Sequence, residues 1–240
     1  MLSRLDDAFT AQKQFSASAA HELRTPLAVM QTNLEVFARK KTPTIEEYQD
    51  IFGMIQNQTE RLSHLSEVLL DMTGIQSVER SDFISLAELT DEVCCDLASI
   101  ADQKKVELIQ EEGDCTVTGS YLLLYRAVYN LVENAIKYNH SGGKVTVKIS
   151  QTKALSAAHS KPTDYALVEV TDTGIGISPE FQEKIFDPFF RVDKSRSRAM
   201  GGAGLGLALV NEIARQHGGQ VKVLASSEQG STIALVLPLS

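Results

Sequence analysis

The sequence lacks any run of roughly 18 apolar residues, so nothing in it reads as a membrane-spanning helix. It also lacks the basic, apolar and small-residue succession of a signal peptide. Basic residues are in the minority: 23 Lys and Arg stand against 31 Asp and Glu, a net charge of -8. Phosphate binding along a duplex wants a basic face, so nucleic acid is not the expected partner. Cysteine is scarce. Cys94, Cys95 and Cys115 form an odd set with no CxxC spacing. Neighbours on a helix point to different faces, so the expectation is three buried thiols in a reducing compartment. Asn57-Gln-Thr59 would be a glycosylation acceptor only in a secreted chain. No internal repeat is present. What the chain does have is 43% hydrophobic content over 240 residues, enough for one or two cored domains and too much for global disorder.

The first part of the chain is helical in pattern. Leu23, Leu27, Met30, Leu34 and Phe37 recur on steps of four and three, and Ile55, Leu62, Leu65, Leu69 and Met72 do the same with one gap. Leu2, Leu5 and Phe9 extend the first stripe toward the N-terminus, as if the helix entered from upstream. Between the stripes lies Lys40-Lys41-Thr42-Pro43-Thr44, and Thr44 with Glu47 spells a capping box that restarts a helix. The expectation is an antiparallel α-helical hairpin over 1–74. Two helices cannot bury such stripes alone, so a second copy would complete a four-helix bundle as a homodimer.

Around Gly74 to Asp82 the pattern breaks into a polar linker, and the texture of 82–240 is mixed. Val145, Val147 and Ile149, then Val168 and Val170, then Ile233, Leu235 and Leu237 alternate with polar residues, as half-buried antiparallel strands do. Helices are expected near 86–103 with a Ser85 cap, 121–138 with a Ser120 cap, 179–186 with Ser178 and Pro179 at its start, and 204–217, stopped by Gly218-Gly219. Residues 152–164 read as a polar hairpin connector. The sum is an α+β sandwich, one sheet covered by helices.

Four stretches of this second part stand out together. Asn130 and Asn134 lie one turn apart on a helix that continues into Lys137 and Tyr138. Asp172-Thr-Gly174-Ile-Gly176 ends a strand, Phe186-Asp-Pro-Phe189-Phe190-Arg191 follows, and Gly201-Gly202-Ala-Gly204-Leu-Gly206-Leu207 opens a helix. Each alone is weak: a surface face, a tight turn, a flexible loop. A glycine run before a helix can equally cradle phosphate. Neither GxGxxG at Rossmann spacing nor GxxxxGK[ST] occurs, so a nucleotide site here would be of another type.

In this order and spacing the stretches resemble the ATP-binding domain of sensor histidine kinases, a superfamily shared with gyrase, mismatch-repair and chaperone ATPases. His21-Glu22-Leu23-Arg24-Thr25-Pro26-Leu27 resembles the phosphoacceptor box of the same kinases. The resemblance runs from about Leu5 to Leu239. It implies that Asn134 holds Mg²⁺, which prefers oxygen ligands and keeps waters, with Asn130 supporting the metal or phosphates. Lys137 and Arg191 would offset phosphate charge, and Tyr138 would line the ATP pocket. Asp172 would accept from the adenine amino group, with Gly174 and Gly176 letting backbone approach the base. Gly202, Gly204 and Gly206, followed by Leu207, would wrap the phosphates, and 187–203 would be a lid. Water-hydrolysing members carry a glutamate where this chain has Asn130. Glu133 sits about 100° around the helix. The chain is therefore better suited to phosphoryl transfer than to hydrolysis. The resemblance also implies a response-regulator receiver domain as partner, and a membrane-anchored parent with this part in the cytoplasm.

His21 has three readings. A zinc pair of the HExxH type would need histidine at 25, where Thr25 stands. A core histidine is the ordinary fate of a lone His, but Glu22 and Arg24 flank this one. As a nucleophile, His21 would attack through Nε2 while Glu22 accepts the Nδ1 proton. Pro26 removes a helix hydrogen bond and is expected to kink the helix. Thr25, one turn beyond His21, has the hydroxyl that the resemblance assigns to orienting water for dephosphorylation of the regulator. The competing classes are an ATP-binding scaffold dimer and a plain ATPase, the latter disfavoured by Asn130.

Overall fold

The computed structural model describes residues 2–75, 78–155, 162–192 and 203–239. The chain divides into two compact units, the first ending at Asp71 and the second beginning at Met72. Among the described residues no helix is long and apolar enough to cross a membrane.

The first unit is a helical hairpin of α1 (Leu2–Ala38) and α2 (Ile45–Gly74). Its turn is set locally. Thr44 N–H donates to Glu47 Oε2 at 3.1 Å and Glu47 N–H to Thr44 Oγ1 at 3.3 Å, the reciprocal capping box. The helices run antiparallel: Phe37 stacks edge-on against Tyr48 with ring centroids 5.0 Å apart, and Glu22 meets Arg61. Pro26 is buried, and α1 is helical on both sides of it. Two residues of the α1 stripe remain bare. Leu27 is 53% exposed and Leu34 45%, and Phe52 of α2 is 68% exposed.

In the second unit β1 (Asp82–Ser85) pairs with β3 (Thr116–Gly119). A five-stranded sheet runs β2 (Glu107–Gln110), β4 (Lys144–Leu155), β5 (Pro162–Asp172), β7 (Gly230–Pro238), β6 (Gln220–Ser227). β2 and β4 are parallel and the other pairs antiparallel. Helices α3 (Leu86–Lys104), α4 (Tyr121–Lys137) and α5 (Gly206–Gln216) complete the unit. Val145, Val147, Ile149, Val168, Val170, Leu235 and Leu237 are all buried in the core.

The caps explain where the helices start. Ser85 Oγ accepts from Glu88 N–H at 3.2 Å, as its sequence predicts. Ser120 makes no side-chain cap. Instead Asp82 Oδ2 accepts from Tyr121 N–H at 3.1 Å, and His217 Nε2 accepts from Ser120 N–H at 3.1 Å. His217 Nδ1–H donates to Ile213 O at 2.8 Å, so one neutral tautomer ties the end of α5 to the start of α4. Desolvation holds this imidazole below its ordinary value; the Ile213 bond opposes, and the charge of Arg80 adds to the lowering.

Several expectations need correcting. Residues 179–186 form two short 3₁₀ turns, Pro179–Phe181 and Lys184–Phe186, rather than a helix, and Ser178 caps neither. The 204–217 helix begins at Gly206 and ends at Gln216. The 152–164 connector is shorter, since pairing continues to Leu155↔Pro162. Cys95 is exposed. Cys115 is buried, and Cys94 is half-buried, its thiol pushed up to about 11 by desolvation, with Asp91 and Cys95 adding. In the linker after α2, Ile75 is fully buried, and Arg80 donates to Ile75 O at 3.2 Å, Val78 O at 3.3 Å and Gln216 Oε1 at 3.4 Å.

Candidate active site

In the hairpin, His21 is exposed, which disposes of the core-histidine reading. Glu22 is mostly covered and pairs with Arg61 across the hairpin, Nη2 to Oε2 3.5 Å. Thr25 lies one turn on, and its hydroxyl donates to His21 O at 3.0 Å. Beyond it, Ala28, Val29, Thr32 and Asn33 continue an open, shallow face with His21, Arg24 and Thr25. An imidazole in solvent beside a shielded carboxylate is free to meet a large substrate while its neighbour keeps a defined place.

The second unit gathers most of the other candidates around the C-terminal half of α4. Asn130 is 9% exposed, and its Nδ2 donates to Arg126 O at 2.8 Å. Its Oδ1 faces the start of α5: a Cβ on Gly206 would lie 2.6 Å from Asn130 Oδ1 and 3.5 Å from Asn134 Nδ2. Glycine is what lets the α5 N-terminus settle on both asparagines. Leu205 precedes it, 1% exposed, and gives the helix no side-chain cap. The amide of Asn134 has no hydrogen-bond partner among the described residues. Lys104 Nζ donates to Ile136 O at 2.8 Å and to Lys137 O, closing the end of α4; desolvation lowers the pKa of this lysine. Lys137 and Tyr138 are half-buried at that same end.

The strand-end loop joins this cluster. Asp172 Oδ1 accepts from Gly174 N–H at 2.8 Å and Oδ2 from Ser231 Oγ at 2.6 Å. A Cβ on Gly174 would lie 2.5 Å from Tyr138 O, so the loop rests on the residue that follows α4. Gly176 has φ +65, and its Cβ would fall 1.8 Å from Ser227 O. Gly204, φ +73, accepts from Phe189 N–H at 2.7 Å, and Phe189 itself has φ +65. Two left-handed residues thus close the base of the segment between them. Phe190 packs on Phe181 at 5.8 Å, and Arg191 is half-buried beside it. Gly202 and most of the expected lid lie outside the described residues. Leu207 is half-buried in the first turn of α5.

Sequence reasoning missed three residues of this neighbourhood. Asn139 is buried; its Nδ2 donates to Lys144 O at 3.0 Å, and its Oδ1 accepts from Thr173 Oγ1 at 3.3 Å. Ser231 orients Asp172, and Ser226 Oγ accepts from Ile177 N–H at 2.7 Å. Only Asn139, directly after Tyr138, carried any signal in the chain.

An amide oxygen with no partner among the described residues, a helix start that Leu205 does not cap and glycine-thinned walls fit a triphosphate with a hard cation. The fold and this site define a nucleotide-binding α+β domain joined to a helical hairpin that bears an exposed histidine. Residues 119–240 match the family model described as histidine kinase-, DNA gyrase B- and HSP90-like ATPase, and 11–77 match the His Kinase A phospho-acceptor domain. The chain is 32% identical over 236 residues to the sensor histidine kinase RppB of Synechocystis, covering 96% of this chain and 50% of that protein. It is 31% identical over 232 residues to WalK of Bacillus subtilis, covering 95% of this chain and 36% of that one. The structure of Acinetobacter baumannii histidine kinase AdeS matches with TM-score 0.67 at 22% identity, over 92% of this chain and 98% of that chain. Histidine kinase ThkA, solved in complex with response regulator TrrA, matches with TM-score 0.71 at 22% identity, over 98% of this chain and 64% of that chain. The chain belongs to the sensor histidine kinases, and it spans about half the length, or less, of the curated relatives it matches.

Proposed function

We propose that the chain uses ATP to phosphorylate His21 and passes the phosphoryl group to an aspartate of a response-regulator receiver domain. The observation that carries this is the division of chemistry between the units. The ATPase-family unit has Asn130, an amide already engaged with Arg126 O, where hydrolytic relatives hold a base, while the hairpin has an exposed imidazole with its own carboxylate. Asn134 supplies an amide oxygen for Mg²⁺, with Asn130 beside it. Lys137 and Arg191 offset phosphate charge, Asp172 accepts from the adenine amino group beside Tyr138, and Gly202, Gly204, Gly206 and Leu207 present backbone to the phosphates. Mg²⁺ when bound neutralises phosphate charge.

The chain's own steps balance. The Nε2 lone pair of His21 forms the bond to γ-phosphorus, the bond from phosphorus to the bridging oxygen breaks, and ADP leaves with that electron pair. The Nδ1 proton goes to Glu22. Thr25, by releasing its bond to His21 O, orients water against the phosphorylated regulator, which gives the chain a second, phosphatase activity. The bare apolar positions Leu27, Leu34 and Phe52 support burial against a second copy as a four-helix bundle. ThkA, solved with its response regulator, supports the same class of partner here.

Incubation with γ-labelled ATP and Mg²⁺ tests this. Acid-labile, base-stable label on the protein is expected, absent in His21→Ala and in Asn134→Ala. Free phosphate without labelled protein would make the chain an ATPase, and neither product a binding scaffold.

A further inference from the structure

The Glu22–Arg61 contact carries one step more. Antiparallel packing in which Phe37 meets Tyr48 brings position 61 of α2 level with position 22 of α1. Arg61 reaches across the hairpin so that Nη2 stands 3.5 Å from Glu22 Oε2, with side-chain exposures of 15% and 14%. The pair joins the two helices, and it falls on the residue after the exposed histidine. A structural purpose is poorly served by it. Ion pairs near the surface contribute about 0–1 kcal/mol, and apolar residues in half-dry positions between helices do as well or better.

We propose that Arg61 is a positioning residue for the phosphotransfer, resting on the reading of His21 as nucleophile and Glu22 as base. Arg61 does not touch His21 in the structure; it acts through Glu22. A carboxylate next in sequence to an exposed histidine still has more than one rotamer to choose from. The guanidinium fixes one oxygen and so narrows where the carboxylate can stand when Nδ1 gives up its proton. It also supplies a cation where negative charge accumulates, since a phosphoryl group on His21 adds about -1.5 to -2 beside a carboxylate. The consequence for the fold is that the phosphoacceptor centre is built from both helices. α1 brings nucleophile and base, α2 brings the cation that holds the base, and their mutual register governs whether the set is complete.

The test uses the full chain with γ-labelled ATP and Mg²⁺. Initial labelling rates at saturating ATP are compared for wild type, Arg61→Met, Arg61→Lys, Glu22→Gln and Glu22→Gln with Arg61→Met; ATP affinity and thermal melts are measured for each. Arg61→Met is expected to slow labelling about tenfold with ATP affinity within about twofold, and Arg61→Lys to recover most of the rate. In the Glu22→Gln background the same change is expected to alter the residual rate by less than about twofold, because its effect runs through the carboxylate. If Arg61→Met proves unstable in the melts, Arg61→Gln replaces it in the same cycle. Wild-type rate in the arginine variant, or an equal loss with and without Glu22, overturns the proposal. Failure of the wild-type protein to label His21 at all overturns the functional reading itself, a separate outcome.

Discussion

Gly206→Ala isolates what the glycine loop does. The residue opens α5 with helical backbone, so alanine meets no torsional penalty there; the obstacle is steric. The new Cβ would lie 2.6 Å from Asn130 Oδ1, against ordinary contact beginning at 3.4 Å. The amide of Asn130 is 9% exposed and pinned by its 2.8 Å bond to Arg126 O. Turning it aside forfeits a bond worth about 1 kcal/mol. The alternative is retreat of the α5 start by about 0.8 Å, which spreads the strain over many weak contacts. Either cost is set against roughly 0.5–1 kcal/mol gained by replacing glycine in a helix. Net stability should therefore change by less than about 1 kcal/mol. Nucleotide binding has no such compensation. If the α5 start holds phosphate as proposed, backbone N–H groups displaced by that distance lose charge-assisted hydrogen bonds of about 1.5–3 kcal/mol each, so one lost bond weakens Mg-ADP or Mg-ATP binding about tenfold to a hundredfold. Calorimetric titration beside urea unfolding separates the two quantities. Gly142→Ala is the control: it has φ +82 and nothing within 4 Å of its Cβ, so it carries backbone strain without touching the asparagines. Affinity of Gly206→Ala within about twofold of wild type would refute the assignment of the α5 start to phosphate.

The other predictions concern the framework. Because the folded-state pKa of His217 lies below its ordinary 6.5, the unfolded chain binds its proton first. The stability it contributes is complete above about 6.5 and declines as pH falls toward the folded value. Unfolding midpoints from pH 7.5 to 5.5 should fall less steeply in His217→Gln than in wild type, and equal slopes would remove His217 from the account. Arg80→Ala removes the guanidinium bonds to Ile75 O, Val78 O and Gln216, leaving Ile75 O only the longer bond from Val78 N–H, so the linker should be cleaved faster in limited proteolysis. An unchanged cleavage rate would show that burial of Ile75 alone anchors it.

Local chemistry was legible in the chain, and long-range chemistry was not. Thr44 and Glu47 bond each other across three residues, so the capping box could be read and is found. Val145, Val147 and Ile149 alternate with polar neighbours along a long strand, and all three are buried. β1, β2 and β3 have four residues each, too few to show a period, and β6 is mostly exposed and irregular between Val223 and Ala225. Pro179 opens a turn as readily as a helix, and the stretch it begins buries no side chain that would hold a full helix down. In the site, Asp172 and the glycines were visible as spaced motifs. Ser231 became visible only when β7 paired with β5 and set Asp172 opposite it. Ser120 looked like a cap in its own right, but the bonds come from Asp82 and His217, which are distant in the chain.

Asn130 shows how the two units divide the proposed reaction. An amide accepts no proton at neutral pH, and this one is already committed at both ends, to Arg126 O on one side and to the packing of Gly206 on the other. On the proposed reading, a water near the γ-phosphorus would find no base, and a bound ATP would persist. The acceptor must bring its own proton sink, and the hairpin does, with Glu22 next to His21 and Arg61 holding it. Restraint toward water and competence toward histidine then have one physical origin: the base is placed with the nucleophile rather than with the nucleotide.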